Sequence, residues 1–292
     1  MTEFCAPGKI MLTGEYAVLQ GATALAFPTK FGQKMQVTPV NSGLYWLSKD
    51  PNGEWFSARW DGQEKLVTSS DQDIANALHR LLCTARNLNP SFQPFQYKVE
   101  CMLEFPLNWG LGSSSTLIAL IAQWANIDAL DLFKKSWKGS GYDVAVAMTK
   151  SQIAYKIVEQ KPEWHSVSFS PPNPDEWFFV HQNKKQSTYS EIDRIKNKRI
   201  SSEMILKLDA INQVILNKPN SLELIDALHK HEQIISAFIE KPMLSKQLNT
   251  TLFTKSLGAW GGDFFLTQTH NTQIIKDLGF KTFFSWKEFV LY

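Results

Sequence analysis

The 292-residue chain is poor in cysteine, carries almost no net charge and has no long apolar run, and each shortage removes a class of protein. Cys5, Cys83 and Cys101 are odd in number and widely spaced, without a CxxC pair or Cys/His ligand spacing. They read as reduced thiols, which excludes a disulfide-stapled fold. The formal net charge is +2, with 30 Lys and Arg against 28 Asp and Glu, so there is no broad field for nucleic acid or an anionic membrane. Any anion site must be built locally. No stretch approaches the ~20 apolar residues of a membrane helix. The opening "MTEFCAPGKIML" has neither the basic start nor the long apolar stretch of a secretion signal, so a cytoplasmic protein is expected. Repeats and low-complexity segments are absent, and the histidines lack metal or triad spacing: His229 and His231, two apart in a helical stretch, do not share a face.

What is present is an ordinary globular composition, 43% hydrophobic and 20% charged, on a chain long enough for about two domains. Short strands are expected through "KIMLTGEYAVL", "KMQVTPV", "LYWLS" and "EWFSARW". A helix is expected from Asp71, with Ile74, Leu78, Leu81, Leu82 and Ala85 at helical spacing, followed by a strand at "FQYKVECMLEF". Further on, a helix begins near Tyr142 and "QIAYKIV" is a strand. The proline-rich "SPPNPDEW", Ser170 to Trp177, marks the domain joint. Beyond it come a strand at "WFFVHQ", helices over 201–217, 221–239 and 243–253, and strands at "GDFFLTQT" and "KTFFSWKEF".

Four segments carry possible chemistry. "NWGLGSSSTLIAL", Asn108 to Leu120, is a glycine loop opening into a helix. Gly110 and Gly112 can turn successive N–H groups toward one place, and Ser113 to Ser115 begin a helix whose dipole and orphan amides favour an anion. The stretch reads equally as a serine-capped helix after a glycine turn. It is no Walker A loop, because no lysine sits among its glycines and serines, so the cation a nucleotide needs must come from elsewhere. "GAWGGDFF", Gly258 to Phe265, is a second glycine cluster, either a close approach of backbone to a ligand or a bulge before a strand. "KGSGYDVAVAM" puts Asp143 at a helix start, as a proton acceptor or as an ordinary first-turn aspartate. In "APGKIMLTGEYAVL", Lys9 lies between a Pro-Gly turn and an apolar strand, where a surface lysine is the default.

Together and in this order, the four segments resemble the motifs of the GHMP kinase superfamily, the small-molecule kinases that include galactokinase, homoserine kinase, mevalonate kinase and phosphomevalonate kinase. The resemblance spans nearly the whole chain. Within the superfamily, Tyr16 in "GEYAVL", the "GSGYDVA" segment, "KSLGAWGGD" and "KKQST" (Lys184 to Thr188) are most similar to the phosphomevalonate kinase branch.

The resemblance implies an α+β, two-domain GHMP kinase fold: a ribosomal protein S5 domain 2-like N-terminal domain over 1–170 and an α/β sandwich C-terminal domain over 171–292. It implies ATP and Mg²⁺ as cofactors. Gly110, Leu111, Gly112, Ser113, Ser114 and Ser115 would wrap the ATP phosphates, with a Ser113 or Ser114 hydroxyl near the metal. Lys9 and Asp143 would be catalytic. Glu15, Tyr16, Ser140, Gly141, Lys185, Ser187, Gly258, Gly261 and Gly262 would line the substrate side. The expected partner is a small molecule, phosphomevalonate first and mevalonate, homoserine or a sugar as alternatives, with no nucleic acid or membrane, in a monomer or homodimer. Lys138, Lys184, Lys185 and Lys255 are candidates to meet a second phosphate. Two departures stand out. Trp260 replaces a glycine of the third motif, and the family's glutamate ligand for Mg²⁺ has no counterpart before the GSG, where only Asp128 or Asp131 could substitute. A nucleotide-binding protein with weakened catalysis is therefore a further alternative.

Overall fold

The computed structural model describes residues 1–183, 198–258 and 263–292. They divide into two compact units: Met1–Gly8, Phe31–Leu107 and Leu111–Lys150 in the first, and Lys9–Lys30, Asn108–Gly110 and Ser151–Tyr292 in the second. Two long strands, β1 (Thr2–Thr13) and β2 (Ala24–Pro39), pair with each other and pass through both units. They are longer than the internal turn residues suggest. Gly32 sits inside β2 because a Cβ there would come within 2.5 Å of the Ala6 carbonyl oxygen.

In the first unit, β3 (Gly43–Asp50) and β4 (Gly53–Trp60) form a hairpin whose turn is held by Asp50 Oδ1 accepting from the Asn52 amide at 2.8 Å. The short β5 (Leu66–Ser69) pairs with β4. The helix α1 (Gln72–Leu88) is capped by Asp71, which accepts from the Asp73 and Ile74 amides. It carries the chain over to β6 (Gln96–Leu103), parallel to β3 and antiparallel to the Gln33–Pro39 part of β2. Alternation buries Trp46, Phe56, Ala58, Trp60, Val99, Cys101 and Leu103 beneath the helices. Three further helices complete the layer: α2 (Ser113–Ala125), α3 (Ala129–Ser136) and α4 (Tyr142–Thr149), which pack on one another. α3 is an element beyond those expected from the sequence, and Asp128 caps it by accepting from the Asp131 amide.

In the second unit, the first part of β2 pairs with β7 (Ile153–Val158), which turns back into β8 (Lys161–Ser166). A second, fully antiparallel sheet has the order β10 (Lys255–Leu257), β11 (Phe264–Gln268), β9 (Trp177–His181), β12 (Phe283–Ser285). The stretch Ser170 to Trp177, expected as the joint, lies inside this unit. Two helices, α5 (Ser202–Leu216) and α6 (Ser221–Ile239), begin at Ser201 and at an Asn220–Glu223 capping box.

Two expectations are corrected. Over 243–253 only Leu244–Gln247 is helical, because Asn249 takes φ 48° and ends it. "KTFFSWKEF" divides into β12 and the helical turn Trp286–Phe289, because Ser285 and Glu288 form a capping box in mid-stretch. No helix among the described residues is long and apolar enough to cross a membrane.

Candidate functional site

The loop before α2 is shaped by two left-handed glycines, Gly110 at φ 67° and Gly112 at φ 86°. Gly112 is the N-cap residue, and no side chain caps the helix. The serine-capped alternative is therefore not what forms. Ser113 is half-buried, Ser114 exposed and Ser115 buried, while Leu111 is wholly buried as the loop's apolar anchor. The Thr116 hydroxyl donates to Gln33 Oε1 at 2.6 Å and fixes the helix start on β2 within the first unit. An uncapped first turn presents its amides, and the positive end of the dipole, to an anion.

Asn108 to Gly110, the other end of the loop, belong to the second unit. The Trp109 ring packs against Phe284, Phe264 and His181, with centroids 5.3, 5.6 and 5.8 Å away. Lys9 Nζ donates to the Gly110 carbonyl at 3.1 Å, so the lysine absent from the loop's own sequence arrives from β1. On its other side Gly110 abuts Asp263, whose carboxyl carbon would lie 2.2 Å from an added Cβ. Only glycine fits. Asp263 is buried, and Gly258, at φ 68°, lies beside the same carboxylate. Of "GAWGGD" only the glycines are expected at a site from the sequence, and the aspartate that ends the motif is the signal that points to Asp263.

The Gly14–Tyr16 turn that follows β1 is also in the second unit. Glu15 is buried, with Lys255 Nζ donating to its Oε1 at 2.5 Å. Burial pushes the Glu15 carboxyl above its ordinary range, and the Lys255 ammonium pulls it partly back. Lys255, a candidate for a second phosphate, is fully buried and committed to Glu15 and to the Ser256 carbonyl. Tyr16, expected to face substrate, is 7% exposed, with its ring in the cluster of Leu208, Ile235 and Ile239 from α5 and α6. The turn's far side is held by α5: Asn212 accepts from the Thr13 hydroxyl at 2.6 Å and donates to the Thr23 carbonyl at 2.8 Å.

Ser140, Gly141 and Asp143 lie in the first unit. Gly141 is the N-cap of α4, and Asp143 stands in its half-buried first turn with Oδ1 accepting from the Val144 amide at 3.1 Å. Lys138 is exposed. Lys184, Lys185, Ser187, Trp260, Gly261 and Gly262 lie outside the described residues.

The two possible substitutes for the family's glutamate lie far from the loop. Asp128 and Asp131 begin α3, beyond the C-terminal end of the 13-residue α2, which puts about 20 Å of helix between them and Ser113. Ser113 and Ser114 suit a hydroxyl-ligated, largely hydrated Mg²⁺, and no first-unit carboxylate takes the missing glutamate's place among these candidates. A second group of ligand type, Glu64, His79 and Cys83, has its ligand atoms within 4.8 Å of one another. The Arg86 guanidinium grips both oxygens of Glu64, and burial holds the Cys83 thiol up, so this cluster is a charge-paired helix anchor.

No protein-family model matches the chain, and no characterised protein matches it by sequence. Solved structures do match: the chain has the fold of the GHMP small-molecule kinases. Phosphomevalonate kinase of Streptococcus pneumoniae, solved with phosphomevalonate and AMPPNP, has a TM-score of 0.73 at 15% identity, covering 98% of this chain and all (100%) of that one. Mevalonate kinase of Methanococcus jannaschii gives 0.68 at 13% identity, covering 100% and 98%. Galactokinase of Lactococcus lactis, solved with galactose, gives 0.64 at 14%, covering 97% and 92%.

Proposed function

We propose that this protein is an ATP-dependent small-molecule kinase that transfers the γ-phosphate to phosphomevalonate. The observation that carries the reading is the loop itself: two left-handed glycines, an uncapped α2 and a lysine delivered from β1 onto the Gly110 carbonyl. Phosphoryl transfer asks for alignment and for neutralisation of spreading charge more than for covalent chemistry. The amides of Gly110 to Ser115 hold the ATP phosphates, and Lys9 stabilises charge on the phosphoryl group in transfer. Ser113 and Ser114 would hold Mg²⁺, which neutralises the β- and γ-phosphates when bound. A hydroxyl acceptor must lose a proton, and Asp143 then serves as its acceptor. A phosphomonoester, with a second pKa of about 6, is already a nucleophile, and Asp143 then orients it.

The phosphomevalonate assignment is supported by the "GEYAVL" and "GSGYDVA" segments and by the likeness to the Streptococcus pneumoniae enzyme. The test is an ADP-release assay over phosphomevalonate, mevalonate, homoserine and galactose. Turnover with phosphomevalonate alone supports the full reading. Turnover with another acceptor keeps the kinase and replaces the substrate. A second reading, a nucleotide-binding protein with weakened catalysis, is favoured by Trp260 in the third motif and by the absence of the family's glutamate before the GSG; ATP binding with no turnover on any acceptor would select it.

A further inference from the structure

The groups that hold the Gly14–Tyr16 turn form a continuous buried polar cluster in the second unit, and most of it has no part in the chemistry above. Lys255 and His231 are both 0% exposed. Lys255 reaches from β10 to Glu15, and His231 reaches from α6, where its Nε2 accepts from the Gly14 amide at 2.9 Å. Glu232, the next residue of α6, accepts from the Ser256 amide at 2.8 Å and from its hydroxyl at 3.1 Å, which fixes the strand that carries Lys255. Glu15 Oε2 stands 3.6 Å from His231 Nε2. Neither Glu15 Oε2 nor His231 Nδ1 has a hydrogen-bond partner among the described residues.

An imidazole that accepts from a backbone amide through Nε2 carries its proton on Nδ1. Burial and the nearby Lys255 charge both hold His231 well below the ordinary histidine range, which keeps it neutral and able to accept. The cluster grips a backbone that is itself unusual: Tyr16 takes φ 61° with ψ −41°, a positive-φ conformation outside the left-handed helical region that bulky aromatic residues rarely adopt. Such a residue persists only where its surroundings over-determine it, and strain of this kind gathers at ligand-holding turns. Apolar packing alone could bury the turn with less desolvation. Directional groups fix its shape.

We infer that His231 and Lys255 are positioning residues for the acceptor: they lock the Gly14–Tyr16 turn in its positive-φ form. The assignment of that turn to the acceptor rests on the kinase reading; the lock does not. His231→Asn removes the Nε2 acceptor and leaves a polar atom at the Nδ1 position, whereas His231→Gln keeps an acceptor at the Nε2 position. Exchange of the Gly14 amide and steady-state kinetics are measured on both. Asn speeds Gly14 exchange and raises the acceptor KM by about tenfold or more, with the ATP KM and kcat within about threefold, and Gln returns both to near the wild-type values. Unchanged exchange in Asn, an equal rise in the ATP KM, or Gln no better than Asn overturns the inference. A wild type that phosphorylates no acceptor defeats the kinase reading, and the exchange comparison then decides the lock alone. Should Asn not fold, nitrogen NMR of wild-type His231 decides it: an unprotonated Nε2 near neutral pH supports the lock, and a protonated Nε2 overturns it.

Discussion

Lys255→Met removes the ammonium that, among the described residues, pairs with the buried Glu15 carboxylate, and the size of the resulting loss can be worked from the site. Glu15 starts from an ordinary pKa of 4.5, burial raises it, and Lys255 is the largest influence lowering it. Without Lys255 the carboxyl rises further, so the folded variant holds its proton to higher pH than the unfolded chain does. The unfolded chain ionises near its ordinary pKa, so folding then takes up a proton. At pH 7.5 that uptake can span at most about three pH units, on the order of 4 kcal/mol; at pH 5.5 it can span at most about one unit, on the order of 1 kcal/mol. These are upper bounds, because wild-type Glu15 is itself raised. The sign follows: a carboxyl raised on folding is least costly below its unfolded pKa, and the variant loses stability as pH climbs from there. For a chain of this size the loss at pH 7.5 lowers the melting temperature by up to about 8–16 °C. Urea unfolding of wild type and variant at the two pH values measures it. Glu15→Gln together with Lys255→Met removes both charges and recovers at least half the loss at pH 7.5. A loss equal at both pH values, or larger at the lower one, refutes the reasoning.

Other consequences can be checked on the same footing. Gly110→Ala adds a Cβ 2.2 Å from the Asp263 carboxyl carbon at a left-handed position, so it costs about 2–4 kcal/mol of stability by urea unfolding and abolishes ATP binding by calorimetry. His231 is held below its ordinary 6.5, so its share of stability is present above about pH 6.5 and is lost as pH falls, at up to about 1.4 kcal/mol per unit. Subtracting the pH profile of His231→Gln from that of wild type isolates this slope from Glu15, Glu232 and Lys255; a flat difference between about pH 5 and 6.5 contradicts it. Lys9→Met removes the cation on the Gly110 carbonyl and lowers kcat by about 10²–10³, with a smaller change in ATP affinity. Equal kcat in the two proteins removes Lys9 from the mechanism.

The order of the elements and the bend of the glycine loop were legible because each rests on local signals. Asp71 and the run Ile74 to Ala85 announce α1, and Gly110 and Gly112 sit at positive φ where a glycine turn was expected. What the sequence could not supply is long-range pairing of side chains. Lys255 reads as a solvated lysine beside a glycine motif, and only folding brings it 240 positions back to Glu15. Tyr16 sits in a motif that suggests substrate, yet its ring is taken by α5 and α6. Asp128 and Asp131 are close to the GSG in sequence, but a full helix separates them from Ser113. His231 gave no signal at all, since its partner is a backbone amide 217 residues away.

The central claim is phosphoryl transfer to a small acceptor, and the path of the γ-phosphate tests it most directly. With ATP labelled in that phosphate, Mg²⁺ and phosphomevalonate, the wild-type protein should place the label on the acceptor in proportion to ADP formed, with transfer slowed by about 10²–10³ in Lys9→Met and also slowed in Asp143→Asn. Label recovered only as inorganic phosphate, or full transfer by Asp143→Asn, would contradict the account.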